Sequence, residues 1–296
     1  MKFFSILALA SAALTACSID FEIESPDTPK LLLFAFVGES CRSEAKVSCA
    51  LPVFMEEKAD LKDVSLKLTR IPNSSIEVEV ERIGESHWIL PGNLSRGEKL
   101  RVEVESPKYG MATAETTIPM PIDTCSFDIG LDSLQNCYRL KINDLPSGNL
   151  GICLSERLIV KDTVLLFPCL NDVREIVAPS SGSTGKTKTV NGLTIWVHRN
   201  VESAIEVCVG SAFSGGFRDV LKREVRLSVC SLSEEMYRYL SAQYSIAENK
   251  FAAYGLTAPS FSYTNVVGGT GIFAAYSQWN SRWVDFDYCF NQLQQV

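Results

Sequence analysis

The chain has 296 residues, 46% of them hydrophobic, with a net charge of −7 and a pI near 5.1. This acidity argues against nucleic acid as a partner, since such binding needs clustered basic residues. The apolar content excludes general disorder, and the length suits two domains of ordinary size.

The amino terminus reads as a leader. Lys2 supplies one positive charge, and FFSILALASAALTA (3–16) follows with none. That is the length of a secretory hydrophobic segment, too short to span a bilayer as a mature helix. It ends in Leu14-Thr15-Ala16-Cys17. An ordinary cleaved signal peptide with an accidental Cys is one reading. A bacterial lipobox is the other, favoured because the tetrapeptide stands at the cleavage position. Residues 1–16 are then a signal peptide, and Cys17 carries diacylglycerol and an acylated amine such as a palmitate. Several acyl chains at ~0.8 kcal/mol per buried methylene hold a protein at a membrane without a spanning helix. Loss of residues 1–16 leaves 27 Lys and Arg against 35 Asp and Glu, a net charge of −8. Residues 17–29 contain Asp20, Glu22, Glu24 and Asp27 before the first base, and read as a solvated tether.

Short strands follow. KLLLFAFVG (30–38), DVSLKLTRI (63–71), SIEVEVERI (75–83), KLRVEVES (99–106) and ATAETTIP (112–119) are separated by turn residues, and several alternate with period two. About seven strands in residues 30–119 fit an immunoglobulin-like or transthyretin-like β-sandwich. IPMPIDT (118–124) reads as a stiff connector. Residues 120–296 form a second β-rich domain. Within it Asn191-Gly192 suits a type I′ hairpin turn, and SEEMYRYLSAQYSIAEN (233–249) is the one amphipathic helix. Ser231 or Ser233 caps it, and Met236, Tyr237, Leu240, Tyr244 and Ala247 share a face.

Nine cysteines accompany Cys17. In an oxidising compartment two pairings are expected. Cys41–Cys49 would staple a polar loop, and Cys208–Cys230 would join neighbouring strands. An odd total leaves at least one thiol, and small buried thiols are the competing reading for all of them.

Motifs for chemistry fail on context. Gly269, Gly271 and Ala274 spell G-x-G-x-x-A, but no helix periodicity or room for a βαβ unit follows. The glycines are expected to serve close backbone approach, and no cofactor is expected. SSGSTGKT (180–187) resembles the end of a phosphate-binding loop, yet Ser180 replaces its first glycine and a hairpin follows, so no nucleotide is expected either. Only His87 and His198 exist for a hydrolytic triad, each in a predicted strand near Trp88 or Trp196. No catalytic residue and no metal ligand set is assigned.

Leu14 to Cys17, LSRGEKLRVEVESPKYGMATAETTIP (94–119), Tyr237 to Leu240 and Asn265 to Phe273 occur in order along the chain. Together they resemble outer-membrane lipoproteins of the Bacteroidetes group that carry domain of unknown function 4249. The resemblance implies residence at the outer membrane, facing the periplasm or the cell surface. It also implies association with TonB-dependent uptake receptors, without any assigned chemistry. The expected function is a lipid-anchored envelope binding or accessory protein. A surface hydrolase with an unrecognised carboxylate site and an adhesin or assembly subunit remain alternatives.

Overall fold

A computed structural model describes residues 28–38, 43–52, 59–71, 76–92, 94–132, 137–160, 163–168, 173–177, 186–190, 193–200, 204–210, 220–248 and 262–285. Cys17, the tether up to residue 27 and Cys41 lie outside them. The fold is mostly β, sandwich-like, with one described helix.

The amino-terminal strands are β1 (Lys30–Gly38), β2 (Ser43–Ala50), β3 (Ser65–Ile71), β4 (Glu77–Val78), β5 (Glu81–Arg82), β6 (His87–Leu90), β7 (Lys99–Ser106) and β8 (Gly110–Thr117). Then come β9 (Ser126–Asp132), β10 (Cys137–Asn143), β11 (Gly148–Val160), β12 (Thr163–Pro168), β13 (Val173–Val177), β14 (Lys186–Val190), β15 (Leu193–Asn200), β16 (Ala204–Gly210) and β17 (Val220–Leu232). Helix α1 (Glu234–Glu248), β18 (Gly269–Asn280) and β19 (Val284–Asp285) complete the order.

An eleven-stranded sheet runs β14-β15-β11-β17-β18-β1-β2-β6-β5, with β12 added to β11 and β19 to β17. Two four-stranded sheets, β4-β3-β7-β8 and β13-β16-β10-β9, pack against it. Strand alternation puts Leu31, Leu33, Ala35 and Val37 of β1 into a first core with Leu66, Leu68, Leu100, Val102 and Val104. A second core joins Leu150, Ile152 and Leu154 of β11 to Leu140, Ile142, Val225, Leu227 and Val229. The connector crosses between them, with Ile118 in the first core and Ile122 in the second.

One strand belongs to both halves. β18 pairs with β1 in parallel, Leu31 opposite Gly269 through Gly38 opposite Tyr276. Its far end pairs antiparallel with β17, Leu232 opposite Tyr276 through Ser228 opposite Asn280. Phe273 and Ala275 face the first core and Trp279 packs on the second. Ile272 and Ala274 face the other way, onto Met236 and Leu240 of α1. Both small sheets therefore lie on one face of the large sheet, and the helix on the other.

The residues of the apparent dinucleotide fingerprint sit inside this strand. Gly271 has φ +112°, and a Cβ there would overlap the Leu33 carbonyl oxygen. A Cβ on Gly269 would come 2.6 Å from the Leu31 carbonyl oxygen. No strand-to-helix turn follows, because the chain continues as strand to Asn280. Lys186 and Thr187, the end of the apparent phosphate loop, open β14, which pairs with β15 in a hairpin with Val190 opposite Leu193.

Neither anticipated disulfide is formed among the described residues: Cys41 lies outside them, and Cys49 carries a free thiol. The stretch between Cys41 and Cys49 is no loop: residues 43–50 are β2, with Ser43, Ala45 and Val47 buried. At ~3.3 Å per residue, β2 carries Cys49 ~20 Å from Ser43. Cys208 is in β16 of a small sheet, whereas Cys230 is in β17 on the helix side of the large one. The large sheet stands between them.

Replacing Gly271 by Val adds a branched side chain where two backbones touch and where φ is positive. It should lower unfolding free energy by ~3 kcal/mol or more, combining backbone strain with overlap. Chemical denaturation of the two proteins measures this; equal midpoints would refute the packing role.

Candidate functional site

Because the two cores occupy one face of the large sheet, its outer face is where side chains are left to other purposes. α1 covers the middle of that face. Ser233 caps it: the Met236 N–H donates to Ser233 Oγ at 3.2 Å. The same oxygen accepts the Ala275 N–H of β18 at 3.2 Å. Thr116 of β8 donates its hydroxyl to the Glu235 carboxylate at 3.1 Å. The helix start is thus fixed to both sheet halves.

Glu234 begins the helix and gathers three donors. Asn149 Nδ2 reaches it at 2.8 Å, Arg199 Nη2 at 2.9 Å and Arg238 Nε at 2.9 Å. The Arg199 guanidinium also lies 4.7 Å over the Tyr237 ring. The Asn149 hydrogen bond, then that from Arg238, holds the Glu234 carboxyl below its usual range. These contacts clamp α1 onto β11 and β15.

Beyond the helix, the outer face becomes charged. Register places Ser155 opposite Arg226 and Arg157 opposite Glu224 on β11 and β17. Trp283, in the link from β18 to β19, brings its ring beneath two guanidinium groups, Arg157 at 4.3 Å and Arg226 at 4.7 Å. Arg157 forms an ion pair with Glu224. Lys222 reaches Glu224 at 2.7 Å and Asp285 at 3.5 Å. Hydrogen bonds from Arg157 first and Lys222 second hold the Glu224 carboxyl low. Ser155 and Ser228 are buried on this face, and Ser228 donates to Asn280 Oδ1 at 2.7 Å. The arrangement offers cationic, planar, hydrogen-bonding chemistry around one aromatic ring.

A second concavity lies at the edge of the first sandwich, where the chain leaves the β4 sheet for the β5 sheet. It has a volume of ≈ 570 Å³ and is lined by Glu77, Glu79, Glu81, Arg70, Ile89 and Pro91, among others. Arg70 is ion-paired with Glu98.

The thiols of Cys49, Cys125 and Cys153 are poor nucleophiles. Burial, reinforced by Asp144, pushes Cys125 up to about 11. Burial also raises Cys49 and Cys153. A thiol held above neutral pH is protonated and weakly reactive. His87 lies half-buried in β6 with Nδ1 3.0 Å from Ser86 Oγ. His198 occupies β15 opposite Leu150, so the two histidines belong to different ends of the large sheet. Among the described residues no group of three His, Cys, Asp or Glu is placed to hold a metal.

Nothing in the sequence marked Arg157, Arg226 and Trp283. Their only local signal is cross-strand spacing, and Trp283 joins them by way of β18, which sequence periodicity does not pair with anything.

The fold is that of a β-rich, sandwich-like protein with two cores on a shared sheet. Residues 18–282 match the model of the family described as Domain of unknown function (DUF4249), and the chain belongs to that family. The comparison with curated proteins yields no match.

Glu234 is about two-fifths exposed, with solvent screening its contacts. Its folded pKa is depressed, so its stabilisation is present above the unfolded value of ~4.3 and is lost as pH falls through the folded value. Glu234→Gln should lower the melting temperature by a few degrees at pH 7, with the gap from wild type closing between pH 5 and pH 3. Melting curves across that range check this; a gap unchanged at pH 3 would show the charge to be irrelevant.

Proposed function

We propose that this protein is a lipid-anchored, non-catalytic binding or accessory component of a bacterial outer membrane, associated with a TonB-dependent uptake receptor. The observation that carries the binding reading is the Arg157–Trp283–Arg226 cluster on the sheet face that neither core uses. Trp and Arg are the residues most enriched at the energetic centres of interfaces, because each combines a large contact area with hydrogen-bonding or charge. The Leu14-Thr15-Ala16-Cys17 sequence supports the anchor, and residues 17–29 supply a tether of ~30–40 Å if extended. The receptor as partner follows from the family resemblance of the motifs at 94–119 and 265–273.

The groove of Glu77, Glu79 and Glu81 favours a second reading, a surface hydrolase acting on a glycan. Its volume lies within the ~300–1,000 Å³ of small-ligand sites, and it gathers carboxylates. The adhesin alternative would use an open sheet edge. The two ends of the large sheet are β14, with Lys186 and Lys188, and β5, only Glu81–Arg82. Short and charged edges oppose strand addition.

Two measurements test the proposal. Cells fed a labelled fatty acid should label wild type and not Cys17→Ala; equal label in both would sink the anchor. Cross-linking in intact cells, read by mass spectrometry, should recover a TonB-dependent receptor as a leading partner. Recovery of none, together with glycan hydrolysis lost in Glu79→Gln, would establish the hydrolase instead.

A further inference from the structure

Among the described residues, three arginine side chains have a buried Nε: Arg70, Arg101 and Arg226. The first two direct that atom at a carboxylate, Glu98 and Glu103. Arg226 differs. Among the described residues no carboxylate lies within ion-pair reach of it, and the contact that holds it is the Trp283 ring. The charges around it are already matched to one another, since Glu224 takes Arg157 and Lys222, and Asp285 takes Lys222 again. Cys153, the acidic group nearest in kind, is a thiol kept protonated by burial and so supplies no counter-charge. The local surplus is one positive charge, in a chain whose overall charge is −7.

A buried, unpaired guanidinium N–H costs ~1–3 kcal/mol, more for a charged group. Stacking on Trp283 holds the guanidinium plane still, which lowers the entropy lost when a ligand binds. Ser155 adds a hydroxyl at the paired register position.

We propose that Arg226, held against Trp283 beside Ser155, is a binding site for an oxyanion, a carboxylate or a phosphate group. The guanidinium of Arg226 is half-buried with its Nε shielded from solvent, and its other N–H donors take the oxygens of such a group. Arg157 stays with Glu224 and sets the edge of the site. This assignment rests on the reading of the outer face as a recognition surface, and adds to it the chemistry of what is recognised.

The full-length protein in detergent is titrated with sodium succinate and, separately, sodium phosphate, against sodium chloride at matched ionic strength. Calorimetry and tryptophan fluorescence give the readouts. Saturable binding of one anion is expected, and which one saturates separates carboxylate from phosphate. Arg226→Gln should weaken it at least tenfold, Arg226→Lys should weaken it less, and Arg96→Gln, in the turn before β7 where it pairs with Asp123, should leave it unchanged. If Arg226→Gln does not fold, Arg226→Lys and Trp283→Phe decide, each expected to weaken binding several-fold. No saturation beyond chloride, or affinity within twofold of wild type in folded Arg226 variants, would overturn the site. Cross-linking of Arg226→Gln in cells separates the two ideas. A receptor recovered with no anion binding leaves the association reading standing and this one fallen. Anion binding with no receptor does the reverse.

Discussion

The structure depends on the close approach of β18 to β1. A parallel strand from the end of the chain must enter between β1 and β17, and at Gly271 it passes so near the Leu33 carbonyl that no side chain fits. Without that approach the large sheet would be two separate pieces. With it, Phe273 fills the first core and Trp279 the second from a single strand. A fully buried Phe contributes ~1.5–3 kcal/mol through removal of apolar surface from water. The larger effect is topological, since one sheet then backs both cores.

Side chains hold that strand in register at both ends. Before it, Asn265 donates to the Phe273 carbonyl at 2.8 Å and accepts the Phe273 N–H at 3.0 Å, while also donating to the Glu115 carbonyl at 3.1 Å. One amide therefore acts as an extra strand partner, which is why an Asn stands eight residues ahead of Phe273. At its middle, Ser233 donates its N–H to the Ala275 carbonyl at 2.9 Å and caps α1 with its hydroxyl. Near its end, Ser277 donates to the Pro119 carbonyl at 2.9 Å, tying down the connector. A parallel strand pairing between distant segments is slow to find and weakly specified by pattern alone, and these polar contacts add the specificity.

Periodicity revealed much of the fold. The bounds of β1 and β7 fall where alternation and turn residues put them, because both strands bury one face in the first core. Residues 75–83 read as one strand but form β4 and β5 in different sheets, with Val78 still turned inward. Alternation reports which side is buried and not which sheet supplies the partner. β2 was masked as a polar loop because its inward residues are small, Ser43 and Ala45, between Glu44 and Lys46. The outer-face cluster was invisible for another reason. Arg157, Arg226 and Trp283 lie far apart in the chain, and only the register of β11 with β17, plus the path of β18, brings them together.

That this face stays partly uncovered by the helix follows from its dimensions. Nine strands side by side at ~4.8 Å make a sheet roughly 40 Å across. A helix of 15 residues is ~22 Å long and ~10 Å wide. α1 can therefore shield only part of the outer face: it packs on Ile272 and Ala274 of β18 beside Phe34 and Phe36 of β1, and reaches β11 and β15 through Glu234. On β11 and β17 beyond the helix the strands turn from apolar to charged in the same alternating set, from Leu232 through Cys230 and Ser228 to Arg226 and Glu224. The opposite set stays apolar from Val229 to Val225, because it faces the second core. One strand thus satisfies a dry core on one side and a hydrated surface on the other. The ordered ring of Trp283 is the apolar element retained on that surface. Its two guanidinium neighbours keep it from being a bare hydrophobic patch, which would invite indiscriminate association.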